Sequence, residues 1–482
     1  MTPHNRREFL TLLGTAGAGL AAGRPQPNIL YIMADDHAAH AISAYGSRIN
    51  RTPQIDRIGA GGVRLTNCFC TNSICTPSRA AILTGQYSHK NGVYTLNDKL
   101  DPNRNHVGKE LQKAGYQTAM IGKWHLETDP TGFDYWNILP GQGVYYDPTF
   151  IEAGGRKKYT GYCTDLIGDF SLNWLKQRDP KKPFFLMSHH KAPHRPWEPS
   201  PKYKDLFAGE TIPEPGNLFD HYEGRARSVA AVTMKVGEDM NTADVKQPFP
   251  PDLHGDALRK WAYQIFIKDY LRCIRSVDDN VGRMLDYLDA EGLAQNTIVI
   301  YTSDQGFFLG DHGWFDKRLM YEESLRMPFL MRYPGRIEPD TVSRDMVLNV
   351  DFAPMFLDYA GVKAPAEMQG RSFRASLEGH TPKDWRKSMY YRYWMHNTSD
   401  HHVPAHYGLR TERWKLIYYY GKPLGMTGAN PPDTTPDWEL FDMKNDAHEM
   451  HNLYHEPRYA GLVKQLTAEL YQRQKEVGDV PV

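Results

Sequence analysis

The sequence predicts an α/β protein: a mostly parallel, mixed sheet sandwiched by helices, with a smaller C-terminal antiparallel-sheet subdomain. Three observations predict it. Short continuous apolar runs, such as Asn28-Ile29-Leu30-Tyr31-Ile32-Met33-Ala34, have the pattern of strands buried on both faces. These runs alternate with helical segments, as in strand–helix–strand units. From about Trp385 the texture changes to short aromatic runs separated by turns. With 482 residues there is chain enough for one large domain and a smaller one. The expected division is residues 1–24 as a signal peptide, 25–384 as the large α/β domain and 385–482 as the small subdomain.

The N-terminus reads as an address. Asn5-Arg6-Arg7-Glu8-Phe9-Leu10 precedes a Gly- and Ala-rich, weakly apolar run from Leu12 to Ala22, the order of parts in a twin-arginine export signal. Export by that machinery would place the protein in the periplasm or outside the cell. A membrane anchor would need about 20 strongly apolar residues, and Gly14, Gly17 and Gly19 interrupt the run. Lys+Arg and Asp+Glu number 57 each, so no net field recommends nucleic acid or an anionic membrane as partner. The five cysteines have no metal-finger spacing and are too few for a disulfide scaffold.

In chain order, the first strand ends in Asp35-Asp36. In open α/β sheets ligands bind beyond the carboxyl ends of strands, so this pair reads either as a site for a hard cation or as a solvated turn. Thr52-Pro53 starts a helix that Gly61-Gly62 stops. In Ser73-Ile74-Cys75-Thr76-Pro77-Ser78-Arg79-Ala80-Ala81-Ile82-Leu83-Thr84-Gly85, Thr76 can cap, Pro77 suits the first helical position and Gly85 stops the helix. Cys75 then lies just before a helix N-terminus, as a cysteine of lowered pKa or simply a buried one. Val107 to Ala114 is a helix. Tyr116 to Ile121 is a strand tipped by Gly122-Lys123-Trp124-His125, where Lys123 and His125 stand two apart and project together, an arrangement suited to an anion.

A helix from Asp165 to Gln177 and a strand from Pro183 to Ser188 follow. That strand enters the basic, proline-pinned loop His189-His190-Lys191-Ala192-Pro193-His194-Arg195-Pro196, from which His194 is the candidate, with Arg195 and Trp197 nearer a substrate. Residues 207–251 lose periodicity and read as a long loop on the site's rim. Tyr270, Ile274, Val277, Val281, Leu285 and Leu288 mark a core helix. Thr297 to Ser303 is a strand ending in Asp304-Gln305. A polar loop, Gly310 to Arg318, precedes a strand from Pro328 to Tyr333. In the small subdomain, Met389 to Trp394, Tyr407 to Arg410 and Trp414 to Tyr420 read as strands, Leu440 to Met443 as an edge element and Ala460 to Gln474 as the closing helix.

Cys-x-Pro-x-Arg followed by Leu-Thr-Gly resembles the maturation motif of type I sulfatases, and the resemblance runs in the family's order over nearly the whole chain after the signal. It implies an alkaline-phosphatase-like fold and a Cys75 oxidised to formylglycine by a maturation enzyme. The hydrated aldehyde would attack the sulfur of a sulfate ester, and its second hydroxyl would later expel sulfate, a route a serine lacks. Carried over residue by residue, Asp35, Asp36, Asp304, Gln305 and the matured Cys75 would hold one Ca²⁺. Many members have Asn or His where Gln305 stands, and a Gln carbonyl can still ligate. Arg79 would position the diol, Lys123 and Lys317 would bind sulfate oxygens, His125 would draw a proton and His194 would protonate the leaving oxygen.

The resemblance implies a sulfated saccharide as substrate: a glycosaminoglycan, mucin or algal polysaccharide fragment. Arg195, Trp197, Asp311, His312 and Arg318 are the candidate sugar contacts by position. His396, His401 and His402 either line the mouth or form a solvent-exposed cluster. Two alternatives belong to other classes: a phosphatase or phosphonate hydrolase of the same superfamily, and a non-catalytic glycan-binding protein if Cys75 stays a thiol.

Overall fold

The computed structural model describes residues 26–482; the expected export signal, residues 1–24, lies outside them. A ten-stranded sheet runs in the order Thr341–Ser343, Val63–Leu65, Phe329–Arg332, Thr297–Ser303, Asn28–Ala34, Phe184–His190, Gln117–Lys123, Tyr135–Leu139, Thr149–Glu152, Gly155–Lys158. Its middle strands are parallel. Ala34 is in register with His190 on one side and Ser303 on the other, and Gly122 with His189. That register brings Asp35, Lys191, Lys123 and Asp304 out at one edge of the sheet. Phe329–Arg332 pairs antiparallel with Thr297–Ser303, which makes the sheet mixed.

The first strand is apolar throughout because both its faces are covered. Leu30, Ile32 and Ala34 pack with Ile274, Val277 and Val281 of the helix Gly255–Ala290 and with Ile167 of the helix Cys163–Gln177. Ile29, Tyr31 and Met33 face the other way, in a cluster with Ile82 of the helix Cys75–Thr84, Leu111 of Val107–Lys113 and Phe356 of Phe352–Tyr359. Helices on both faces of a largely parallel sheet are the expected fold class. A four-stranded antiparallel sheet follows, Ser388–Tyr393, His406–Thr411, Trp414–Tyr419 and Asp437–Asp442, backed by the helix Ala460–Val477. Among the described residues no helix is long and apolar enough to cross a membrane.

Several elements differ from the sequence reading. The helix expected after Thr76 starts at Cys75, with extended Ile74 as its cap residue, so Pro77 takes the third helical position. Proline is tolerated there because the first N–H groups have no intrahelical acceptor. The long helix begins at Gly255, well before Tyr270. The strands Tyr135–Leu139, Thr149–Glu152 and Gly155–Lys158 were not anticipated, nor was the buried helix Phe352–Tyr359. The segment 207–251 contains two short helices, Arg227–Ala230 and Thr242–Val245. It is also pinned to the polar loop: Phe315 donates its backbone N–H to the Met234 carbonyl at 2.8 Å, and Val236 to that of Gly313 at 2.8 Å.

Candidate active site

Three carboxylates, Asp35, Asp36 and Asp304, meet at the carboxyl ends of two adjacent strands, with an oxygen of each within 4.8 Å of the others. All are buried. Buried like charges are costly unless compensated, and each has its own cation. Lys123 Nζ donates to Asp35, and Lys317 Nζ to Asp36 Oδ2 at 2.7 Å. Arg79 Nε and Nη2 both lie 2.9 Å from Asp304 Oδ2. Gln305 Nε2 donates to Asp36 Oδ1 at 2.5 Å, while Gln305 Oε1 is buried with no hydrogen-bond partner among the described residues.

These groups fit a hard divalent cation. Asp35, Asp36, Asp304 and the orphaned carbonyl of Gln305 are the oxygen donors that Ca²⁺ takes. Electrostatics agree. Burial pushes Asp36 up to about 7, Lys317 holds it down only in part, and Asp35 and Asp304 push it further. Burial would raise Asp35 too, but Lys123, His194, Arg79 and Lys317 together keep it well below the usual carboxylate range.

Cys75 is the first residue of its helix and faces this cluster. Its Sγ, occupying the place a formylglycine oxygen would take, lies 3.5 Å from Asp35 Oδ1 and 4.0 Å from both Lys123 Nζ and Gln305 Nε2. Burial and then Asp35 push the thiol well above its ordinary range, so the helix N-terminus does not make it a thiolate. Thr76 does not cap the helix; its Oγ1 lies 3.4 Å from His125 Nδ1. The strand ends at Lys123, and His125 lies beyond it with φ +54°, so the two do not share one extended segment; just before Lys123 the chain passes tightly over the neighbouring strand. A side chain at Gly122 would place Cβ 1.9 Å from the His189 carbonyl oxygen, and φ there is +97°.

His194 Nε2 lies 3.7 Å from Asp36 Oδ2, and its Nδ1 is 2.6 Å from the Arg195 carbonyl. Burial first, then Lys123, holds both His125 and His194 well below the ordinary imidazole range. The structure thus gathers Cys75, Arg79, Lys123, His125, His194, Lys317, Asp35, Asp36, Asp304 and Gln305 in one place.

The candidate sugar contacts divide. Arg318 stays with the site: it follows Lys317, bonds Asp316 Oδ1 at 3.0 Å and reaches Tyr393 Oη at 3.2 Å. Arg195 is gripped by both oxygens of Asp244 at 2.6 Å and keeps only a partly exposed face. Trp197 is a correction: it is wholly buried against Phe266, with ring centroids 4.5 Å apart, and faces no substrate. His312 is also a correction, buried with Nδ1 3.0 Å from Asp220 Oδ2. Asp311 sits 3.4 Å from His40 Nε2 on a cavity of about 830 Å³ lined by none of the ten gathered residues. His396 and His401 are buried, the latter with Nε2 3.5 Å from Asp316 Oδ2, and only His402 is exposed, so there is no exposed histidine cluster.

Sequence reasoning missed three residues. Asp316 lies between two residues that were chosen, and pairs with Lys317, Arg318 and His401. Gln142 accepts from Lys123 Nζ, and follows a strand tip that was not recognised as one. Lys191 is buried, with its Nζ 4.9 Å from the Tyr145 ring centroid.

Fixed cations ringing one buried side chain suit an enzyme for anionic esters, and comparison with known proteins says which kind. The sulfatase family model matches residues 27–362, and the model for the C-terminal part of N-sulphoglucosamine sulphohydrolase matches residues 310–476. The chain belongs to the sulfatase family and is a sulfatase. An N-acetylglucosamine-6-O-sulfatase of Bacteroides thetaiotaomicron is 43% identical, over 94% of this chain and 87% of that protein. The human N-acetylglucosamine-6-sulfatase is 30% identical over 80% of this chain and 70% of its own length. A structure solved with its substrate D-glucosamine-2-N,6-O-disulfate superposes with a TM-score of 0.89 at 43% identity, covering 94% of this chain and 98% of that one. A phosphonate monoester hydrolase from Silicibacter pomeroyi shares the fold at 21% identity, with a TM-score of 0.74 over 94% of this chain and 96% of that one.

Proposed function

We propose that this sulfatase removes 6-O-sulfate from glucosamine-type sugars of sulfated glycans, using a formylglycine made from Cys75 and a Ca²⁺ held by Asp35, Asp36, Asp304 and Gln305. A maturation enzyme makes the formylglycine, and the twin-arginine machinery exports the protein to the periplasm or beyond. The observation that carries the reading is the position of Cys75 Sγ, within 4.0 Å of Lys123, Asp35 and Gln305 in a Cys-x-Pro-x-Arg helix. The two relatives named for N-acetylglucosamine 6-sulfate support the sugar and the sulfated carbon.

The matured residue supplies a hydroxyl nucleophile and a second hydroxyl for sulfate release, and the metal supplies positive charge against the ester oxygens. The chain's own residues do the rest. Arg79, fixed on Asp304, holds the first turn of the helix against the metal ligands. Lys123 and Lys317 turn from Asp35 and Asp36 towards sulfate oxygens and stabilise charge as it spreads. His125 is neutral in this setting and ready to accept a proton. His194 is also held neutral by burial and Lys123, and an arriving anionic ester opposes that effect, so His194 gains its proton with the substrate and passes it to the leaving oxygen.

Release of sulfate from N-acetylglucosamine 6-sulfate and its galactose counterpart, and of phosphate from N-acetylglucosamine 6-phosphate, all at one pH, tests the proposal. Preference for the first is expected. Preference for the phosphate would return the reading to a phosphatase, and an intact Cys75 thiol with no turnover, after expression with a competent maturation enzyme, would leave a glycan-binding protein.

A further inference from the structure

A cleft of about 230 Å³ opens directly on His125, lined by Trp124, Glu127, Asp129, Ile151 and Arg156 among others. Arg156 comes from Gly155–Lys158, the edge strand of the large sheet, which is exposed along its whole length. Ile151 is directly opposite Arg156, and Thr149 opposite Lys158. Residues facing each other across an antiparallel pair share a face, as do residues two apart on a strand. Arg156 and Lys158 therefore stand on the cleft side of the strand. Lys157 points the other way, its Nζ 4.6 Å from the Tyr159 ring centroid. Among the described residues, the side chains of Arg156, Lys158, Glu127 and Asp129 make no hydrogen bond or ion pair.

A cleft beside a proton-transfer histidine, walled by two unengaged carboxylates and one unengaged guanidinium, matches a sugar ring with an acidic substituent. Carboxylates accept from sugar hydroxyls, and a guanidinium binds carboxylate or sulfate in two-pronged fashion. We propose that this cleft is a subsite for the sugar next to the one that loses its sulfate, and that Arg156, seconded by Lys158, selects a neighbour carrying a carboxylate or sulfate. The inference rests on the glycan-sulfatase reading and specifies its substrate class: an acidic oligosaccharide rather than a monosaccharide. Basic side chains on an edge strand also discourage sheet-to-sheet pairing, a role that would leave substrate selection unmoved.

The test uses full-length matured enzyme on three substrates: N-acetylglucosamine 6-sulfate alone, linked to a uronic acid, and linked to a neutral hexose. Wild type should prefer the uronic acid disaccharide to the neutral one. Arg156→Ala should lower kcat/KM on the acidic disaccharide by about five- to tenfold more than on the neutral one, through KM, the size expected for one partly exposed charged contact. Arg156→Lys should recover part of that difference. Equal effects on both disaccharides, or none, would overturn the subsite. Turnover of the monosaccharide by wild type tests the parent reading separately, and if none of the three is hydrolysed the subsite falls with it.

Discussion

Cys75 is buried where a thiol makes a poor nucleophile, since burial and Asp35 both oppose its ionisation. The surrounding groups are those that an oxygen nucleophile on a metal would use, so activity should depend on this one side chain far more than folding does. Cys75→Ala is expected to lower sulfate release on the order of 10⁴-fold or more, as for other lost nucleophiles, with the thermal midpoint nearly unchanged. Residual activity near wild type would refute the assignment. Asp36→Ala should cost the protein its Ca²⁺, read by elemental analysis of purified protein against wild type; an unchanged ion content would remove Asp36 from the ligand set. At this scale the sequence was most informative for residues immediately after apolar runs. Asp35, Asp36, Lys123 and Asp304 could be placed because a strand's end is visible in its composition. Trp197 and His312 could not, because whether a Trp or His in a polar loop faces solvent is decided by partners such as Phe266 and Asp220, distant in sequence.

The elements packed around these residues are held by local devices of modest energy. The helix Val107–Lys113 is capped by His106, whose Nδ1 accepts the Gly108 N–H at 3.1 Å. Burial, then Lys109, pushes His106 down to about 3 from an ordinary 6.5. The unfolded chain thus takes up a proton that the folded chain refuses. The stability this neutral imidazole contributes is fully present above about pH 6.5 and is lost as pH falls towards 3, at no more than about 1.4 kcal/mol per pH unit. His106→Asn keeps a capping acceptor without the titration. Urea unfolding at pH 7 and pH 4.5 should show the variant losing less stability than wild type over that interval; identical losses would contradict the account. The edge strand Gly155–Lys158 shows why other elements were illegible. It pairs through its backbone with Thr149–Glu152 and has no apolar residue to betray it.

For the molecule as a whole, the small sheet props the site in the large one. Tyr391 accepts the Ser73 N–H at 3.1 Å and donates to the Arg318 carbonyl at 2.8 Å, tying the segment before Cys75 to the loop of Lys317. Arg392 donates its N–H to the Thr71 carbonyl at 3.1 Å. The division at residue 384 proposed from composition therefore does not separate the chemistry from the C-terminal chain. Tyr391→Phe leaves a buried N–H and a carbonyl unsatisfied, a loss of about 1–3 kcal/mol. It should lower kcat by more than the stability change alone requires, measured well below the melting temperature; a destabilised protein with wild-type kcat would count against the prop. The change of texture near Trp385 announced this sheet. Its role in the site was not legible, because Tyr391 reaches Ser73 across 318 positions and Arg318 across 73.

The oxidation state of residue 75 in active enzyme decides most directly. Mass spectrometry of the peptide spanning Ser73 to Gly85, taken from protein of measured turnover, should show a residue that has lost its sulfur and carries an aldehyde oxygen, in proportion to specific activity. Full activity alongside an intact thiol at that position would contradict the account.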